Sequence, residues 1–462
     1  MKNFLFFALA FVLFSCGQGN SDTESTSEAT QINETDVVDV VRHPDWSKNA
    51  VIYEVNLRQH TAEGTFSAFS KDLPRLKKMG VDILWLMPIH PIGEKNRKGT
   101  KGSYYSVQDY TAVNPEFGDM QDFKSLVAKA HGYGMKVIID WVANHSAFDN
   151  VWTLDHQDYY LLDSLNQLQP PLGTDWWDVA QLNYDNKDLH VAMTEAMRFW
   201  LTEADIDGFR CDVADMVPVD FWNYAREELD KTKAVFMLAE SENPEHHEKA
   251  FDMTYSWELM HIMNELAVKN KTLDDLDAYM LKEDSNFHRN DYRMNFITNH
   301  DENSWNGTVF ERYGDAHKAY AVLASTINGM PLVYSGQEAG NKERLEFFEK
   351  DTIEWSNYPL QDFYTQLYSV NKTENALWNG HFGGDYKRLK VGTDNRVFAF
   401  ERNNGRSRVV TIVNLDSVPA NFNIDYTFGS EFNSIFNREV LSDQYKQKLQ
   451  LPAFGYQIYV KN

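Results

Sequence analysis

From Asn49 onward, apolar residues come in short unbroken runs: VIYEV (51–55), VDILWLMPI (81–89), MKVIIDWV (135–142), IDGFRCDV (206–213), AVFMLAE (234–240), RMNFITN (293–299) and MPLVYSG (330–336). Between them lie stretches with apolar positions at helical spacing. One covers 187–204; another covers 119–132, opening on Asp119 as an N-cap and closing at Gly132. A run without a polar face describes a strand covered on both sides. Such strands alternating with amphipathic helices build a parallel sheet. The seven runs, with FDMTYSW (251–257) as the eighth, predict a (β/α)8 TIM barrel over residues 46–379. A doubly wound open sheet satisfies the same periodicity.

Two stretches depart from this alternation. Residues 146–185, after the third strand, are rich in Trp, Tyr and Asp and contain a Pro-Pro pair. An insertion of that length in a compact domain forms a wall or lid. From about residue 380 the pattern changes to short strands (YKRLKVG, RVFAFER, RVVTIVNL, YQIYVKN) separated by Asn/Gly turns. These predict an antiparallel β-sandwich domain over 380–462.

The N-terminus reads differently. Residues 1–16, MKNFLFFALAFVLFSC, place a lysine before an apolar run too short for a stable membrane-spanning helix, then a small residue and a cysteine. This resembles a bacterial lipoprotein signal, which implies cleavage before Cys16 and its lipidation. Residues 17–45 follow as a disordered tether, Ser/Thr/Glu-rich and without hydrophobic period. The expectation is a protein of the bacterial cell envelope, held at the outer membrane through its lipid anchor only. The one other cysteine, Cys211, leaves no disulfide framework.

A net charge of −24 excludes nucleic acid as a partner, because a phosphate backbone calls for a basic surface. It is compatible with a neutral sugar. Aromatic residues reach 14%, enough to fill large cores or to supply flat stacking platforms.

Acids at strand ends carry the chemistry. In GFRCDV, Arg210 and Asp212 share one face and Cys211 faces the other, buried against the surrounding helices. Asp212 ends a barrel strand, where barrel enzymes place their reactive groups, and Arg210 beside it is expected to hold it ionised. Glu240 closes the next run, partly desolvated, as suits a carboxylic acid that gives a proton to a leaving oxygen. Asp301 follows RMNFITN beside His300, and DWVANH groups Asp140, Asn144 and His145. One such acid is readily a structural ion pair; four at strand ends of one barrel are not.

The ordered segments DWVANH (140–145), GFRCD (208–212), MLAE (237–240) and NHD (299–301) resemble the four signature segments of the α-amylase family of glycoside hydrolases. GVDILWLMPIHP (80–91), Gln181-Leu182-Asn183 and GMPLVYSGQEAG (329–340) extend the resemblance across residues 49–340. It implies a retaining glycosidase acting on starch-, glycogen- or maltooligosaccharide-type α-glucans. Asp212 would be the nucleophile, Glu240 the acid/base and Asp301 the transition-state stabiliser. His145 and His300 would bind the sugar, Arg210 orient the nucleophile, Asp140 support the set, and Tyr105 in GSYYSVQDY stack under the reacting ring. A glycosyltransferase using the same residues and a non-catalytic glucan-binding lipoprotein are the alternatives.

No cofactor is required for this chemistry. Asn144 matches a calcium ligand of the family, with a loop-capping role as the alternative. After Asp212 the chain reads Val213-Ala214-Asp215-Met216, without the Lys-His pair that many endo-acting amylases carry at the last two places, and the insertion at 146–185 is short for the family, which implies an open site. Trp152, Trp176 and Trp177 are expected to pack in the core, with stacking on sugars as the alternative, and His246 and His247 in NPEHHEKAF to lie on a solvated surface.

Overall fold

The structure is a computed structural model that describes residues 41–392, 395–444 and 449–461. The expected signal with Cys16, and the tether as far as residue 40, lie outside the described residues.

All eight apolar runs form strands: β1 (Ile52–Val55), β2 (Ile83–Leu86), β3 (Lys136–Trp141), β4 (Gly208–Cys211), β5 (Phe236–Ala239), β6 (Met253–Tyr255), β7 (Tyr292–Asn295) and β8 (Met330–Tyr334). They pair in parallel and in chain order, and β8 returns to β1 with Ile52 opposite Leu332, so the sheet closes. A closed barrel has no free edge, and the open-sheet alternative falls away. The strands are shorter than the runs that predict them. Asp212 and Glu240 therefore stand just beyond the ends of β4 and β5, at the mouth.

Helices cover the outside for local reasons. Met120–Gly132 starts on a capping box in which Asp119 accepts from the Asp122 amide and Asp122 accepts from the Asp119 amide. A cap of this kind contributes about 1 kcal/mol. Lys187–Glu203, capped by Asn186, buries Leu189, Met193, Trp200 and Leu201 along one face.

The insertion after β3 is held by a two-stranded ribbon that pairs His145–Ala147 with Val179–Gln181, His145 opposite Gln181. C-terminal to the barrel, a six-stranded antiparallel sheet includes Asp385–Leu389, Val397–Asn403 and Arg408–Asn414. The last strand, Tyr456–Lys461, lies inside it between Arg408–Asn414 and Phe432–Ser434. This sheet is buried on both faces: Phe398, Phe400, Val409 and Ile458 join the barrel's core, while Val397, Ala399, Val410 and Ile412 form a second core with Ala420 and Leu451 of a two-stranded sheet. Among the described residues no helix is long and apolar enough to cross a membrane.

One surface expectation fails here. His246 and His247 are buried, because the one-turn helix His246–Lys249 tucks beneath the loop leading to β6. His247 Nε2 meets Thr254 Oγ1 at 2.8 Å, the His246 ring lies 5.2 Å from Phe251, and burial pushes both imidazoles below their ordinary pKa.

Candidate active site

Arg210, near the end of β4 and without solvent exposure, organises the barrel mouth. Its Nε donates to Tyr255 Oη (3.0 Å), and its Nη1 donates to Asp140 Oδ1 (2.8 Å) and Asp212 Oδ1 (2.9 Å). Nη2 lies 2.8 Å from Glu240 Oε2, an ion pair rather than an aligned hydrogen bond. One guanidinium thus gathers three carboxylates from the ends of β3, β4 and β5. Cys211, pointing the other way, is buried in the barrel core.

The turn after Asp212 is strained. Val213 takes φ 37°, a left-handed conformation that a β-branched residue holds only under constraint. The constraint is visible: the Val213 amide donates to Glu240 Oε2 at 2.8 Å, and the Glu240 amide donates to Cys211 O at 3.0 Å. The same turn that presents Asp212 also aims Glu240.

A second chain of hydrogen bonds crosses the floor of the mouth. Glu54, fully buried on β1, accepts from His300 Nδ1 at 2.5 Å. His300 Nε2 lies 2.7 Å from Tyr105 Oη, which in turn donates to Asp140 Oδ2 at 3.2 Å. Trp85 Nε1 donates to the same Asp140 oxygen at 3.1 Å. Asp301, partly exposed, sits 3.4 Å from His300 Nε2. The Tyr105 ring stacks on His300 and Phe347, with centroids 5.5 and 6.2 Å away.

Charge follows from these contacts. Burial lowers the pKa of His300, but Asp301 and Glu54 together raise it to about 9, so the ring is an imidazolium donating from both nitrogens. Burial holds His145 down at about 3; it stays neutral, with the Asn144 amide nitrogen 3.1 Å from its Nδ1. The expectation that Arg210 keeps Asp212 ionised meets a correction. Burial, together with Glu240, Asp140 and Asp301, pushes Asp212 well above the usual carboxylate range, against the guanidinium. Asp140 is raised for the same first reason, burial. The Arg210 guanidinium faces all three carboxyls, and at Asp212 and Asp140 burial outweighs it.

The structure therefore brings Asp140, His145, Arg210, Asp212, Glu240, His300, Asp301 and Tyr105 to one mouth. Tyr105, His145, Asp212, Glu240, His300 and Asp301 line a cleft of about 550 Å³. Trp152 packs inward against Tyr110 and Tyr159, as expected. Trp176 and Trp177 do not belong to the core: both line the cleft, and Trp177 is 54% exposed. The short insertion does not leave the cleft open on its side either. The loop after β2 fills the space and brings Lys98 Nζ to 3.0 Å from Asp178 Oδ1. Sequence reasoning misses Glu54, Trp85, Tyr255, Trp305 and Phe347. A glutamate inside the apolar run VIYEV was the one available signal.

The donors around Asn144 do not fit calcium. Gln181 Nε2 donates to Asn144 Oδ1 (2.9 Å) and points at the Asn144 and Leu182 carbonyls (3.2 and 3.4 Å). An amide nitrogen thus stands among three oxygens, where a hard cation would require oxygen ligands only. Among the described residues no cluster of three or more His, Cys, Asp or Glu side chains is placed to hold a metal. Asn144 serves the ribbon and His145 instead.

Residues 35–375 match the model of the α-amylase catalytic domain. The chain is 26% identical over 397 residues to the α-amylase MalA of Haloarcula japonica, covering 81% of this chain; it spans 57% of that relative's length. Among solved structures it is similar to a maltogenic α-amylase from Thermotoga neapolitana (29% identity, TM-score 0.80, 89% of this chain and 98% of that one). It is also similar to an α-amylase from Lactobacillus plantarum (28%, 0.79, 90% and 99%).

Proposed function

The chain belongs to the α-amylase family, and from that premise we propose that it hydrolyses α-glucosidic bonds, α-1,4 in first place, with retention of configuration. The observation that carries this reading is the grip of Arg210 on Asp212 through Nη1 and on Glu240 through Nη2. Neighbouring nitrogens of one guanidinium hold the two carboxyls close together. A retaining pair needs roughly 5–5.5 Å, whereas an inverting pair leaves room for water between.

Asp212 attacks the anomeric carbon as the carboxylate, the form its ion pair with Arg210 favours, and Glu240, aimed by the Val213 amide, protonates the departing oxygen. Glu240 then removes a proton from the water that opens the glycosyl-enzyme on Asp212. The oxocarbenium-like charge develops beside Asp301. Neutral His145 offers an N–H donor to sugar hydroxyls, the His300 imidazolium holds Tyr105 through Nε2 and places its charge beside Asp301, and the Tyr105 ring offers a stacking face. Asp140 touches no substrate; it positions Arg210 and Tyr105. No step requires a metal or cofactor.

The reading also includes a lipid anchor on Cys16 that holds the enzyme at the bacterial envelope, supported by the pattern of residues 1–16. Cys16→Ser is expected to release it from the membrane fraction.

A proton NMR time course on maltoheptaose tests the chemistry. New α-anomeric reducing ends before mutarotation are the expected result, and β-anomers would overturn the retaining assignment. Growth of longer oligosaccharides would instead assign transfer through the same glycosyl-enzyme. An unchanged spectrum with maltoheptaose and pullulan would overturn the α-glucanase reading.

A further inference from the structure

If Glu240 protonates the leaving oxygen, the leaving group lies on the Glu240–Val213 side of the cleft and the glycone on the side of Tyr105, His300 and Asp301. The two sides are built differently. Beyond Tyr105 the loops after β7, β8 and β2 and the insertion after β3 join into one continuous wall. Trp305 packs on Phe347 and Phe348, with centroids 5.3 and 5.8 Å apart. The loop holding Phe348 is tied to the loop after β2 by Lys101 N to Phe348 O (3.0 Å) and Thr100 N to Glu349 Oε1 (2.8 Å). Lys98 continues the wall into the insertion. Its Nζ pairs with Asp178 Oδ1 at 3.0 Å, donates to Asp175 O at 3.3 Å, and sits over the rings of Trp177 and Phe348 at 5.1 and 5.8 Å.

The Lys98–Asp178 pair is largely shielded, with side-chain exposures of 17% and 5%, so water does not weaken it as it weakens a surface pair. On the leaving-group side Asp215 and Met216 are open to solvent. A cleft of about 550 Å³ envelops a ligand the size of roughly two or three sugar rings, not a continuous polymer.

We infer that the glycone side is a blind pocket closed by Lys98, so that the enzyme works from the non-reducing end of an α-glucan and releases short units of fixed length. This rests on the proposed roles of Asp212 and Glu240. It adds what those roles do not decide, which end of the chain is read.

The test compares two maltoheptaosides carrying the same chromogenic reducing-end group, one with a free non-reducing end and one with that end blocked by a 4,6-acetal. The blocked substrate should be cleaved at least ~20-fold more slowly, because its acetal meets the wall. The free one should give one dominant short product from the first minutes. Lys98→Ala should reduce the discrimination by about fivefold or more and lengthen the products, through a gap between Phe348 and Trp177. Equal rates on both substrates, with a spread of products, would overturn the blind pocket and leave the glucanase reading standing. Cleavage of neither would overturn both. The wild-type ratio alone decides between these outcomes if the variant fails to fold.

Discussion

Arg210 and Arg402 are both buried guanidiniums, one at the barrel mouth and one where the C-terminal sheet meets the barrel. Arg210 faces three carboxylates, and against burial Asp140 and Glu240 raise its pKa well above the ordinary arginine value. Arg402 donates hydrogen bonds, among the described residues, only to backbone carbonyls, Gly384 O at 3.1 Å and Thr326 O at 3.5 Å, with the Asp385 carboxylate acting on it from farther off. Burial, with Arg289 nearby, pulls it down to about 9. Equal burial therefore has opposite consequences. At the mouth, charge is matched by charge and fixed in position, which is what a reaction that develops charge needs. At the junction, the guanidinium only ties two carbonyls together, and its charge is a cost to the fold.

The largest expected effect breaks the mouth without touching the junction. Asp212→Asn should lower kcat on a chromogenic maltoside by about 10^4-fold or more, with Tm nearly unchanged, since the amide fills the same space. Arg210→Met should cost both activity and stability. It leaves three buried carboxyls without their counter-charge, and denaturant melts should show a loss of about 3–5 kcal/mol. Arg402→Met is the counterpart at the junction: kcat unchanged, and stability between equal and about 2 kcal/mol higher. A destabilisation as large as that of Arg210→Met would erase the contrast.

A smaller effect appears in pH dependence. His300 has a folded pKa raised to about 9. Its contribution to stability is thus complete below about pH 6.5, the unfolded value, and is lost as pH rises through about 9. The kcat/KM profile should show an alkaline limb near that pH, and His300→Gln should remove the limb. The smallest effect concerns Asn144. Because the Gln181 amide occupies the place among its oxygens, chelator should leave Tm within about 1 °C of the untreated protein in calorimetry.

The contrast between the two arginines also shows what the sequence carries. Arg210 and its acids are legible because strand periodicity fixes which residues share a face and because barrel strands end at the mouth. The eight strands are legible for a related reason: runs buried on both faces have no polar side. Glu54 breaks its run, yet its partner His300 lies 246 positions away, and local pattern does not reach that far. Trp305, Phe347 and Lys98 arrive from three loops, whose meeting is set by tertiary packing alone. The same limit explains His246 and His247: a helix of one turn has no periodicity from which to read a buried face. The charge state of Asp212 depends on how many carboxyls share Arg210, a number only the folded mouth supplies.

The position of the strand Tyr456–Lys461 has a consequence for synthesis. Tyr456–Lys461 is made after every other described strand of its sheet, yet it sits inside the six-stranded sheet rather than at its edge. Until the ribosome releases these residues, Arg408–Asn414 and Phe432–Ser434 have no neighbour to join them, and the sheet cannot seat fully on the barrel. The sheet therefore stays unfinished until residues 456–461 emerge, and a chain cut short before them lacks the middle of a sheet rather than a frayed end.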